Sequence, residues 1–118
     1  MPTEESLPPD SPSVSAVIVS RNRAGALRQT LAALLPPGFP APPEVVVVDA
    51  GSRDGSAEID EEFPAVRLVK MPRNFGRVRA RNIGMRTATG EFVLLLEPGV
   101  ILQASDIQKL VDALTADG

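Results

Sequence analysis

The sequence predicts an α/β domain, with a mostly parallel four-stranded sheet carrying helices on both faces. Three observations predict it. Apolar runs of strand length alternate with stretches of helical period, in the order β-α-β-α-β-α-β-α. The segment Glu44-Val-Val-Val-Val-Asp49 has four consecutive valines, which suits a strand covered on both sides, as in a parallel sheet. A polar loop with glycine or proline follows the apolar runs, as at Ala50-Gly51 and Glu97-Pro-Gly99.

Val14-Ser-Ala-Val-Ile-Val19 reads as the first strand, and Ser20-Arg-Asn-Arg-Ala-Gly25 as the loop leaving its carboxyl end. A helix follows, with Leu27, Leu31, Leu34 and Leu35 on one face. Prolines over residues 36–43 end it and form a surface connection into the second strand, residues 45–48. A short helix over 56–63 takes Asp54 or Ser56 as its cap, and Pro64 marks its end. Residues 66–70 read as a third, half-buried strand. A helix over 77–88 is expected to end at Gly90 as a left-handed terminator. Glu91-Phe-Val-Leu-Leu-Leu96 reads as a fourth, buried strand. Ser105-Asp-Ile-Gln108 has the pattern of a capping box, opening a last helix with Ile107, Leu110, Val111 and Leu114 on one face. Residues 1–13 hold four prolines among acids and serines and read as a disordered leader, so the folded domain is 14–118.

Composition narrows the function. A net charge of −3 with four Phe, no Tyr and no Trp argues against nucleic-acid binding. Without Cys there is no disulfide or thiolate metal site, and without His there is no imidazole base within the chain. No apolar run approaches the roughly 20 residues that span a bilayer, and the acidic N-terminus is no signal peptide. The expected compartment is the cytoplasm by default, with a membrane-facing surface as an option. Dinucleotide-fold and P-loop glycine signatures are missing. The loop after the first strand has no acid, which disfavours a phospho-acceptor domain.

Parallel alternation gathers the loops after the strands at one edge, where open α/β sheets bind ligands. Asp49 ends the valine strand, either as a ligand group or as a turn cap. The stretch 70–86 carries Lys70, Arg73, Arg77, Arg79, Arg81 and Arg86 and no acid. Arg77 and Arg81 are i, i+4 neighbours able to meet a phosphate together, or to form a solvated face balancing the acids near Glu58 and Glu62. Glu97 could hold Mg²⁺ or Mn²⁺ against a substrate phosphate, though one carboxylate is a poor metal site; alternatively Glu97-Pro-Gly99 is a plain turn.

Together these residues resemble the N-terminal half of a family 2 glycosyltransferase with the Rossmann-like GT-A fold. Four blocks in order carry the resemblance across 14–102: Val17-Ile-Val-Ser20-Arg-Asn22-Arg; Glu44-Val-Val-Val-Val-Asp49-Ala-Gly51-Ser52-Arg-Asp54-Gly55-Ser56; Arg73-Asn74-Phe-Gly76 with Ala80-Arg81-Asn82-Ile-Gly84; and Thr89-Gly90-Glu91-Phe92-Val-Leu-Leu-Leu96-Glu97-Pro-Gly99. The resemblance implies a UDP- or GDP-linked sugar donor and transfer of a hexose to an acceptor hydroxyl. It assigns Ser20, Arg21, Asn22 and Asp49 to the nucleotide pocket, and Asn74, Gly76 and Arg81 to lining or shaping the donor site. Glu97 would bind the divalent cation, Mg²⁺ or Mn²⁺. Three positions depart from the pattern: Arg21 stands for an aromatic, Ala50 for a second acid or amide, and Gly99 for the second acid of D-x-D. The catalytic base and acceptor site of that family belong to a C-terminal half. After Leu102 the available acids are Asp106, Asp112 and Asp117, on or beyond a terminal helix whose pattern reads as packing, so no catalytic base is assigned and the acceptor is unknown. The domain is expected to be incomplete at its C-terminus and inactive alone. The lost groups also fit an alternative, a non-catalytic nucleotide-binding or regulatory module. A sheet cut short would leave an apolar edge, giving possible homo-oligomerisation.

Overall fold

The computed structural model describes residues 13–35 and 44–116. The expected leader, apart from Ser13, and the connection over 36–43 lie outside the described residues, as do the side chain of Leu114 and the whole of Asp117. The elements are β1 (Val14–Ser20), α1 (Ala24–Leu34), β2 (Glu44–Ala50), a 3-10 turn (Ser56–Glu58) running into α2 (Ile59–Glu62), β3 (Arg67–Met71), α3 (Arg77–Thr87), β4 (Phe92–Leu96) and α4 (Ala104–Ala116).

The four strands are all parallel, in the order β3-β2-β1-β4. The chain builds outward from β1 to β3, then returns to add β4 on the other side of β1. That reversal opens a crevice between the carboxyl ends of β1 and β4. Register puts Ser20 beside Asp49, Asp49 beside Lys70, and Ile18 beside Leu96.

Side-chain alternation along the strands divides the interior into two cores. Ala16, Ile18, Val45 and Val47 pack with Leu27, Leu31 and Leu34 of α1, Ile59 of α2 and Ile107 of α4. Val17, Val46 and Val48 face the other way, with Met71 of β3, toward Ala80 of α3. Burying a leucine contributes about 1.5–3 kcal/mol, so the three buried leucines of α1 outweigh its lack of a side-chain cap at Arg23.

Several sequence expectations are corrected. β4 is not fully buried: among the described residues it pairs only with β1, and Val93 and Leu95 are exposed at 39% and 44%. α3 covers β1 and β2, so its helix does not reach the outer face of β4. Gly90 does not terminate α3, which ends at Ala88 in an extended conformation. Instead, Gly90 lies flat on β1. A Cβ there would sit 2.7 Å from the Ser15 nitrogen, and its own N–H donates to Ser15 Oγ at 2.8 Å. Ser105 does not cap α4. The helix begins one residue earlier, Asp106 Oδ2 accepts from the Gln103 N–H at 3.0 Å, and Gln108 bonds Asp112. Gly55 occupies the N-cap position of the short helix, and Asp54, one residue before it, accepts from the Ser56 N–H at 3.1 Å.

At the amino ends of the strands Glu44 ties three segments together. Its carboxylate accepts from Ser15 Oγ at 2.5 Å, from the Thr89 N–H at 2.9 Å and hydroxyl at 3.2 Å, and from Arg67 Nη1 at 3.2 Å. Burial alone would raise its pKa, but the bonds from Ser15 and Thr89 and the charge of Arg67 prevail, and the pKa falls below its ordinary value.

Candidate functional site

The opposite end of the sheet is built from the loops after β1, β2, β3 and β4. The first two are tied to each other. The Asn22 N–H donates to Ser52 Oγ at 2.9 Å, and the Arg53 N–H returns a bond to Asn22 Oδ1 at 2.7 Å. Asn22 adopts φ 55°, in the left-handed region that asparagine tolerates. Asp54 reaches across to accept from the Ala24 N–H at 2.9 Å, satisfying the uncapped start of α1. Its other oxygen accepts from the Ser56 N–H at 3.1 Å and hydroxyl at 2.6 Å. The Ser56 hydroxyl bond, followed by the Ala24 bond, lowers the Asp54 pKa. Gly51, at φ +79°, passes so close to the third loop that a Cβ would lie 2.7 Å from Arg73 Cα. In that loop Asn74 Oδ1 accepts from the Gly76 N–H at 2.9 Å. The fourth loop is anchored on α1, where Thr30 Oγ1 accepts from the Gly99 N–H at 2.8 Å.

Two cavities open on this rim. The first, about 370 Å³, lies at the reversal point between β1 and β4 and includes Arg21, Arg23, Asn74, Gly76, Arg77, Arg81 and Glu97 in its walls. The second, about 390 Å³, lies over the end of β2 and includes Asp49, Gly51, Ser52, Arg53 and Lys70. Alternation explains the split: Asp49 shares a face with Val45 and Val47, whereas Ala50 points to the α3 side and lines the first cavity.

The predicted residues therefore fall into three groups. Arg21, Asn74, Gly76, Arg81 and Glu97 share the first cavity. Asp49 lines the second, with Ser20 its buried neighbour on β1. Asn22 lines neither, and its side-chain oxygen is engaged in pinning the first two loops. Asp49 is 2% exposed; Oδ2 accepts from the Ser52 N–H at 3.0 Å, while Oδ1 has no hydrogen-bond partner in the protein. The Ser20 hydroxyl, equally buried, has none either. Such atoms are costly to leave unmatched, and these two stand side by side on the rim.

Arg81 Nη2 lies 3.2 Å from Glu97 Oε2, joining α3 to the end of β4. Among the described residues Glu62 pairs with Arg28, and Arg77 lines the first cavity. Arg23 and Arg77 of the first cavity, and Ser52, Arg53 and Lys70 of the second, were not assigned to the site from sequence. The i, i+4 spacing of Arg77 and Arg81 was the available signal for Arg77; Arg23 needed the crevice geometry.

The sequence model of Glycosyl transferase family 2 matches residues 15–118. The chain belongs to this family. A family relative, the undecaprenyl-phosphate 4-deoxy-4-formamido-L-arabinose transferase of Aeromonas hydrophila, is 35% identical over 75 residues, covering 59% of this chain and 23% of the relative. Among solved structures, the mannosyltransferase PcManGT of Pyrobaculum calidifontis, in complex with GDP-Man and Mn²⁺, superposes with a TM-score of 0.68 at 25% identity, over 95% of this chain and 36% of its own. S. aureus TarS residues 1–349 in complex with UDP give a TM-score of 0.73 at 24% identity, over 89% of this chain and 32% of that one. The GT-A-like fold expected from sequence is thus present. The chain spans between about a quarter and a third of the length of these family 2 relatives and structural neighbours. Among the described residues no helix is long and apolar enough to cross a membrane.

Proposed function

We propose that this domain binds the nucleoside diphosphate of a sugar donor and serves as the donor half of an inverting hexosyltransferase. One observation carries the reading. An unpartnered carboxylate oxygen, Asp49 Oδ1, is buried at the end of β2 in the wall of the second cavity, on the same rim as the arginine-lined first cavity. A buried acceptor of this kind selects a ring N–H, which uracil and guanine present and adenine and cytosine lack on the corresponding edge. The neighbouring Ser20 hydroxyl supplies a donor or an acceptor beside it. The base then sits over the end of β2, and the diphosphate extends across the rim toward Arg21, Arg77 and Arg81. The complexes of the neighbours with UDP and with GDP-Man agree with such a donor.

Within the first cavity Glu97 is the sole carboxylate among the lining residues. It is held by Arg81, so no described group there is placed to deprotonate an acceptor hydroxyl. Donor binding is therefore the step these residues perform. Calorimetric titration of the 118-residue chain with UDP, GDP, ADP and CDP tests the reading. UDP or GDP should bind at least about tenfold tighter than ADP and CDP, and Asp49→Asn should abolish the preference. Equal affinity for the four nucleotides would overturn it.

A further inference from the structure

The carboxylates that a divalent cation would need beside a donor diphosphate do not fit this chain. Glu97 is already paired with Arg81 at 3.2 Å. Position 99, two residues on, is a glycine at φ +100°, and Arg23 Nη2 lies 3.8 Å from where its Cβ would stand. That turn is fixed by the Gly99 N–H bond to Thr30, so the arginine faces the backbone where a second acid would have to emerge. Among the described residues no group of three or more acidic, histidine or cysteine side chains is gathered to hold a metal ion. Arg21, Arg23, Arg77 and Arg81 face the same cavity with Glu97 as the only acid in its wall.

We propose that the first cavity is a guanidinium cradle that binds a diphosphate without a divalent cation. The proposal rests on the donor-site reading above. Guanidiniums are always charged and bind phosphate oxygens with two parallel bonds. Four arginines against Glu97 leave the wall a net cationic excess, more than enough to neutralise the one negative charge per phosphate of a diphosphate diester. The four arginines come from separate places: Arg21 and Arg23 from the loop after β1, Arg77 and Arg81 from α3. They can therefore clasp the group from two sides. Arg81 donates to Glu97 at 3.2 Å, so Glu97 would compete with an incoming phosphate for that guanidinium.

The test is titration of the full 118-residue chain with inorganic pyrophosphate, UDP and GDP, in EDTA and again with Mn²⁺. The cradle requires pyrophosphate and a nucleoside diphosphate to bind in EDTA, with less than about a threefold change on adding Mn²⁺. Arg23→Ala and Arg77→Ala should each weaken binding about tenfold, the loss of one charge-assisted hydrogen-bonding group. Glu97→Gln should tighten it by releasing Arg81. All three positions are exposed, and thermal melts will show that the variants fold. Binding of pyrophosphate only with Mn²⁺, or its loss in Glu97→Gln, overturns the cradle and leaves the donor reading standing. Metal-free, arginine-dependent binding of pyrophosphate with no binding of UDP or GDP supports the cradle and removes the donor reading. Failure of pyrophosphate to bind in EDTA removes the cradle.

Discussion

Asp54 joins the start of α1 to the turn before α2, and its replacement by alanine should loosen two of the four rim loops at once. Three hydrogen bonds go: one from the Ala24 N–H and two from Ser56. The Ala24 bond caps a helix that has no side-chain cap of its own, a loss of about 1 kcal/mol. The two Ser56 bonds add about 0.5 kcal/mol each, the low end for hydrogen bonds because the carboxylate is exposed and screened. The sum is about 2 kcal/mol, which for a domain of this size lowers Tm by about 8 °C. The pKa of Asp54 is lowered from 3.8. A depressed carboxylate contributes stability that is fully present above its unfolded pKa and is lost as pH falls through the folded one. Asp54→Asn should therefore be less stable than the parent at about pH 6, and the gap should close toward about pH 2. Urea melts followed by circular dichroism at both pH values measure this. A Tm for Asp54→Ala within about 2 °C of the parent, or an Asn variant whose deficit persists undiminished in acid, would refute the reasoning.

Other consequences follow from the same geometry. Gly84→Ala gains helix propensity worth about 1 kcal/mol, but its Cβ would meet Val17 Cγ1 at 2.4 Å; thermal melts should show a net loss of about 1–2 kcal/mol from overpacking. Glu44→Ala removes bonds to Ser15, Thr89 and Arg67 at the amino ends of the strands, so it should lower Tm while the UDP affinity of the folded protein stays within about twofold of the parent. Asp49→Asn, by contrast, should weaken UDP binding about tenfold or more, with Tm nearly unchanged, since the Ser52 N–H bond survives on the amide oxygen.

The sheet was legible because its signals are local. The valine run, the leucine spacing of α1 and the order of apolar segments suffice to name the strands and helices. What sequence missed depends on contacts between distant segments. Gly90 looks like a helix terminator until β1 is seen beneath it. The fourth strand reads as buried because its residues are apolar, yet its position at the sheet edge in the described structure decides its exposure. The split between the two cavities follows from which face Asp49 and Ala50 take, a matter of strand phase that the motif alone does not display. Arg23 is unremarkable in the chain and becomes informative only when the fourth loop, anchored by Thr30, brings Gly99 against it. Asn22 shows the reverse. Its place in a donor-site motif suggests ligand contact, while its bonds to Ser52 and Arg53 build the rim itself.

The most direct test is two-dimensional NMR of the isotopically labelled chain titrated with UDP. Backbone amide shifts should concentrate at Ser20, Asp49, Ser52, Asn74 and Arg81, with Glu44 and Thr89 at the far end unmoved. Shifts centred on Glu44 and Thr89, or none at saturating nucleotide, would contradict the account.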